Sequence, residues 1–161
     1  MVRRNFSLSF STGERNFLWA LIGTCLVGAI LSCIAVLRLT ETYPASQFEL
    51  AFTSWTAVAG FVGAGAALWS TYNRWFGKPG TSGWISAMIG ALLVSGIGSV
   101  VAGSLILPFY GTMFGPLQLF VTLIDTPILA VVWFGMLMCA HVLLTRWRSE
   151  RDSIFAGSVA P

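Results

Sequence analysis

The chain has 161 residues, of which 56% are hydrophobic and only 9% are charged. A soluble domain carries about a quarter charged residues, so this composition excludes a soluble fold. The formal net charge of +3 is small and scattered, which gives nucleic acid no electrostatic footprint to bind.

In chain order, four charge-free apolar stretches are each long enough to cross a bilayer. They are Leu18–Leu37, Ala51–Tyr72, Trp84–Leu107, and a fourth that begins between Leu117 and Pro127 and ends near Leu144. About 20 residues rising ~1.5 Å each cover a hydrocarbon core of ~30 Å. In lipid the backbone must satisfy its own hydrogen bonds, so open stretches of this kind become helices. The expected fold is therefore an all-α integral membrane protein: a four-transmembrane-helix bundle, with a short outer interfacial or re-entrant segment before the fourth helix. The expected division is an N-terminal segment over 1–16, the bundle over 17–147 and a tail over 148–161.

Charge alternates with the spans. Arg3, Arg4 and Arg15 precede the first, Arg74 and Lys78 separate the second from the third, and Arg146, Arg148 and Arg151 follow the fourth. Only Arg38 lies on the other side, among Glu41, Glu49 and Asp125. Lys/Arg excess marks the cytoplasmic side, and an even span count agrees, so both termini are expected in the cytoplasm of a bacterial-type cell, with the chain in its inner membrane. Aromatic belts mark the two levels: Phe17, Trp19, Trp69, Tyr72, Trp75, Trp84 and Trp147 inside, Tyr43, Phe48, Trp55, Phe109 and Tyr110 outside.

Ser11 and Glu14 have the spacing of a capping box at the head of the first span. The Arg3-Arg4-Asn5-Phe6 run resembles the core of a twin-arginine export signal, and Leu31-Ser32-Cys33 resembles a lipoprotein cleavage site. The apolar run is longer than a signal h-region, and Glu14 and Arg15 interrupt the approach to it, so a retained span is expected. Cys25 and Cys33 sit ~12 Å apart along one helix, beyond the ~7 Å reach of a disulfide; with Cys139 they read as apolar fillers. Turns are expected at Tyr43-Pro44 and at Gly77-Lys78-Pro79-Gly80.

Small residues recur every fourth position: Ala59, Gly63 and Ala67 in span two, and Ala87, Ala91, Ser95, Ser99 and Gly103 in span three. Span one adds Thr24, Gly28 and Ser32. Such rows let helix backbones approach closely, and they serve either packing within the bundle or docking of a partner. A row of period four drifts about 40° per step, so the long row on span three can face two neighbours. Ser95 and Ser99 are assigned to the bundle, and Ala87 and Gly103 to a partner.

Pro108, Gly111, Gly115 and Pro116 break helix continuity before the fourth span. If that span begins at Pro127, Thr126 is its N-cap and Pro127 its first residue, and Asp125 lies where a helix dipole favours a carboxylate. If it begins at Leu117, Asp125 lies in the membrane and becomes a candidate ion- or proton-coupling group. His141 is the only histidine; it is a packing residue or a weak candidate cofactor ligand. Trp133 lies deep in the span, where its indole N–H needs a partner. No metal site, nucleophile–base pair or phosphate loop is present in the sequence, so no catalysis, metal or cofactor is expected.

The expected partners are the lipid bilayer and other membrane-protein subunits. The expected function is that of a non-catalytic accessory, assembly or stabilising subunit of a larger inner-membrane complex, energy-transducing assemblies (respiratory or photosynthetic) among them. The alternative is a small transporter or channel component using Asp125. In length and span count the chain is similar to the small membrane subunit of TRAP transporters, but it lacks that family's acidic and Arg/Trp positions around the second span.

Overall fold

The computed structural model describes residues 11–42 and 49–156. Arg3, Arg4, the turn at Tyr43-Pro44 and the aromatic Phe48 lie outside them, as do the side chains of Glu41 and Glu49. The described chain is all helix: α1 (Thr12–Thr42), α2 (Glu49–Trp75), α3 (Gly80–Ile106), α4 (Tyr110–Asp125) and α5 (Pro127–Ala156). Four of these, α1, α2, α3 and α5, are long and apolar enough to cross a membrane. The protein is a multi-pass helical membrane protein.

The helices run past the apolar stretches at both ends. Helix α1 starts at Thr12, and its first turn is closed reciprocally: the Glu14 N–H donates to Ser11 Oγ at 3.2 Å, and the Ser11 N–H to a Glu14 carboxylate oxygen at 3.0 Å. At the other terminus α5 continues to Ala156, so a boundary at 147/148 falls inside a helix. Polar residues extend a membrane helix into water at little cost once the apolar segment has nucleated it.

The region before the fourth span is more ordered than its glycines and prolines suggest. Leu117–Ile124 belongs to a separate helix, α4, which already begins at Tyr110 and contains Gly115 and Pro116. Its glycines stay helical because they are where the α4 backbone touches α3: a Cβ on Gly111 or on Gly115 would run into the backbone of Gly103 or Ser99. Between the two helices, Pro108–Phe109–Tyr110 forms a tight γ-turn. The Tyr110 N–H donates to the Pro108 carbonyl at 2.9 Å, and Phe109 adopts φ 68° and ψ −51°. This conformation is rare and strained for a residue with a side chain.

Helix α1 packs between α2 and α5, and α2 between α1 and α3. Helix α3 carries α4 on its other flank, while α3–α5 and α4–α5 contacts are slight and α1–α4 contact is marginal. The half of the bundle holding Thr12, Trp75 and Trp147 is thus closed by α1, α2, α3 and α5. In the opposite half α4 lies alongside α3.

Candidate functional site

The small residues of α2 form two rows rather than one. Gly63 and Ala67 face α3: a Cβ on Gly63 would lie 2.6 Å from the Gly98 carbonyl oxygen and 3.0 Å from the Ala102 Cβ. Gly60 and Ala64, one position along, face α1, where a Cβ on Gly60 would lie 2.5 Å from the Gly28 carbonyl oxygen and would run into Ser32. Ala59, beside them, is completely buried. A reading in steps of four finds Ala59, Gly63 and Ala67 but misses Gly60, Ala64, Gly98 and Ala102. The missing signal was the doubled density of small residues, Gly60, Gly63, Ala64, Gly65 and Ala67, which lines two faces of one helix.

Helix α3 uses its whole row inside the chain. Ala87 and Ala91 are buried in the core, and Gly103 is buried against Gly111 and Gly115 of α4. The assignment of Ala87 and Gly103 to a partner does not hold: Ala87 is completely buried within the chain, and α4 covers Gly103. Ser99 packs its backbone on Gly115. Ser95 donates to the Ala91 carbonyl and accepts the indole N–H of Trp133 at 2.8 Å, giving the buried tryptophan its partner.

Asp125 ends α4, exposed and without an ion pair among the described residues. Helix α5 begins at Pro127, and the Leu129 N–H donates to the Thr126 carbonyl at 2.9 Å. The expected side-chain cap is not made: the Thr126 hydroxyl is buried and has no partner. Thr126 also closes α4, donating its N–H to the Thr122 carbonyl at 3.1 Å. Its ψ of 80° falls well short of the extended value usual at an N-cap.

At the other end of α5, Trp133, Leu137, Ala140, His141 and Leu144 form one buried stripe. His141 accepts the N–H of Gly77 at Nδ1, 3.1 Å away, and its ring lies 5.1 Å from that of Trp84 and 6.4 Å from that of Phe76. An Nδ1 that accepts leaves the imidazole proton on Nε2. One turn below Leu144, Arg148 donates through one guanidinium nitrogen to the carbonyls of Tyr72, at 3.1 Å, and Asn73, at 2.7 Å. These carbonyls lie in the last turn of α2, where the helix dipole favours a cation; that of Tyr72 also accepts the Phe76 N–H at 3.3 Å. Gly77 itself has φ +76°, and a Cβ there would lie 2.9 Å from Arg148 Nε. Phe17, Trp69, Tyr72 and Trp147 stack around this end, with Phe17 5.3–5.8 Å from the other three rings. The i, i+7 spacing of His141 and Arg148 opposite a glycine turn was the readable signal for this clamp.

The opposite half encloses a cavity of about 410 Å³, lined by α1, α2, α3 and α4, with Trp133 of α5 also on its wall. Glycines form much of it, Gly28, Gly60, Gly98 and Gly111 among them, and it lies beside the points where their backbones cross. Asp125, Thr126 and His141 do not border it. The structure therefore separates the sequence-predicted candidates. His141 belongs to a structural clamp, Asp125 to an exposed helix junction, and Ser95, Ser99 and Gly103 to the wall of the cavity. Cys25, Cys33 and Cys139 are free thiols, and no cluster of metal-ligating side chains occurs among the described residues.

The chain matches no protein-family model, no curated protein and no solved structure.

Proposed function

We propose that the protein is a non-catalytic accessory or stabilising subunit of a larger inner-membrane complex, in a bacterial-type cell, with both termini cytoplasmic. The observation that carries this reading is the use made of His141. The interior's one imidazole is already committed to the Gly77 N–H and packed against Trp84, so it serves the fold rather than chemistry. The orientation rests on the basic residues at the Trp147 end, Arg74, Lys78, Arg146 and Arg148. Helix α4 supports a role among other subunits: it is held mainly by α3 and turns Met113, Leu117, Phe120 and Ile124 outward. Respiratory and photosynthetic assemblies are the kind of complex such a subunit would serve. Purification from native membranes in mild detergent tests this, with co-purifying membrane chains expected in fixed ratio. Migration alone at monomer mass, after cross-linking in the intact membrane, removes the proposal.

A second reading, a transporter or channel component, draws on the helix break at Asp125-Thr126-Pro127, where a carboxylate sits beside a buried hydroxyl without a partner. Interrupted membrane helices often mark ion sites. Asp125→Asn would abolish flux under that reading and leave a subunit role intact.

A further inference from the structure

The cavity beside α4 has features that assembly into a complex does not require. Its volume of about 410 Å³ lies within the ~300–1,000 Å³ typical of small-molecule pockets. Its wall is almost wholly apolar, and its polar groups fall into two sets. Thr56, Ser95 and Ser99 each donate to a carbonyl of their own helix three or four residues back, at 2.8–2.9 Å, as helix hydroxyls commonly do. Ser32 and Gln118 do not. The Ser32 hydroxyl and the Gln118 carboxamide both line the cavity, one from α1 and one from α4, and neither hydrogen-bonds another described residue. A carboxamide left unpaired in an apolar surround is costly, so this pair of groups calls for a partner within the cavity. The cavity is not sealed, and α1 and α4, which both line it, barely touch.

We propose that this cavity binds a lipid-soluble small molecule with a compact oxygen-bearing head and an apolar tail. The molecule enters from the bilayer between α1 and α4, and its head is hydrogen-bonded by Gln118 and Ser32. The Gln118 amide supplies two donors and an acceptor, and Ser32 one donor and an acceptor, so a hydroxyl or carbonyl head is satisfied by the pair. The glycine walls accept the tail without displacing side chains. Nothing in this depends on the protein having partner chains.

The test uses the full chain in detergent micelles, with a decyl-substituted benzoquinone as a quenching probe for Trp133, which borders the cavity. Saturable quenching that is lost in Trp133→Phe reports occupancy. 1-Decanol and decane, which share a tail and differ only in the head, then compete for the site. Decanol is expected to displace the probe at a concentration at least tenfold lower than decane. Gln118→Leu and Ser32→Ala should each erase most of that advantage. Both substitutions remove a group that bonds nothing in the protein, so folding should survive, and Ser32→Ala remains decisive if Gln118→Leu does not fold. Quenching that never saturates overturns the proposal. So does equal displacement by decane, which would mean a void that takes any hydrocarbon, or an undiminished decanol advantage in both variants.

Discussion

The two halves of this bundle are held together by different means. In the half with Trp147, side chains reach across between helices: His141 holds the Gly77 turn, Arg148 bonds the last turn of α2, and Phe17, Trp69, Tyr72 and Trp147 fill the space among them. In the half with α4, backbones meet directly through Gly28, Gly60, Gly63, Gly98, Gly103 and Gly111, and one side chain reaches across, the Trp55 indole donating to the Leu105 carbonyl at 3.0 Å. Side-chain bridges fix a turn and seal the interior. Glycine crossings bring helices close at points and leave gaps between those points, and the cavity is such a gap. Association in lipid relies on packing and hydrogen bonds rather than on the hydrophobic effect. Either device is sufficient, and each half leaves a space: about 410 Å³ beside α4, almost wholly apolar, and about 460 Å³ among Glu14, Trp147, Glu150 and Arg151 at the other end.

The largest expected effect lies in the bridged half. Arg148→Leu removes the donor to the Asn73 carbonyl and one of two donors to the Tyr72 carbonyl, which keeps the Phe76 N–H, at a cost of about 3 kcal/mol, the upper end of the ~1.5–3 kcal/mol for a hydrogen bond from a charged group. Because α2, the turn and α5 share this clamp, the loss should appear as lower global stability in denaturant unfolding from micelles. A loss confined to local fraying of residues 149–156 would mean the clamp is not shared.

Gly103→Ile makes the complementary cut. The new side chain has no space against Gly111 and Gly115, so α4 must move off α3, costing about 2 kcal/mol on the scale of overpacked cores. Amide exchange should accelerate across Tyr110–Asp125 while the His141 clamp stays protected. If the whole bundle loosens instead, the two halves form one cooperative unit and the distinction between them fails.

What was legible in the sequence follows the range of the interactions. The capping box at Ser11 and Glu14 is local and was readable, as were the four apolar spans, whose length and composition alone define them. The start of α5 at Pro127 was one of two alternatives, because Thr126-Pro127 favours a helix start but says nothing about whether α4 joins it in a continuous run. The small-residue rows were visible, but their targets were not. Which of Gly60 and Gly63 faces α1 depends on how α2 is rotated, and that rotation is settled by the partners on both sides at once. The cavity was not readable, since it arises where residues from five helices fail to meet. Its polar groups, Ser32 and Gln118, stand out only once the neighbouring hydroxyls are seen to be paired.

A smaller effect, of opposite sign, is expected at the γ-turn that sends the chain from α3 into α4. Phe109 holds φ 68° with its side chain almost fully exposed, so the ring contributes little packing against the protein to offset the strain. Phe109→Gly should therefore stabilise the α3–α4 unit by about 1 kcal/mol, the low end of the cost of such a backbone. Slower exchange of the α4 amides would show it. Destabilisation would mean that the ring anchors this turn in the bilayer interface more strongly than the backbone resists.

The smallest effect tests the one side-chain bridge that links α5 to α3 at the edge of the cavity. The Trp133 indole donates to Ser95 Oγ at 2.8 Å, and the Ser95 hydroxyl in turn donates to the Ala91 carbonyl. Interhelical hydrogen bonds in membrane proteins average ~0.6 kcal/mol by double-mutant cycles, because the separated helices find other partners. A cycle of Trp133→Phe and Ser95→Ala should return a coupling of about that size. Ala at position 95 leaves the Ala91 carbonyl bonded within its own helix, so the coupling isolates the indole bond rather than a broken backbone. A coupling near zero would place Trp133 with the glycine crossings, held by shape alone. A coupling several times larger would mean that the bridged half extends to the cavity, and that α5 is fastened to α3 along its whole buried stripe.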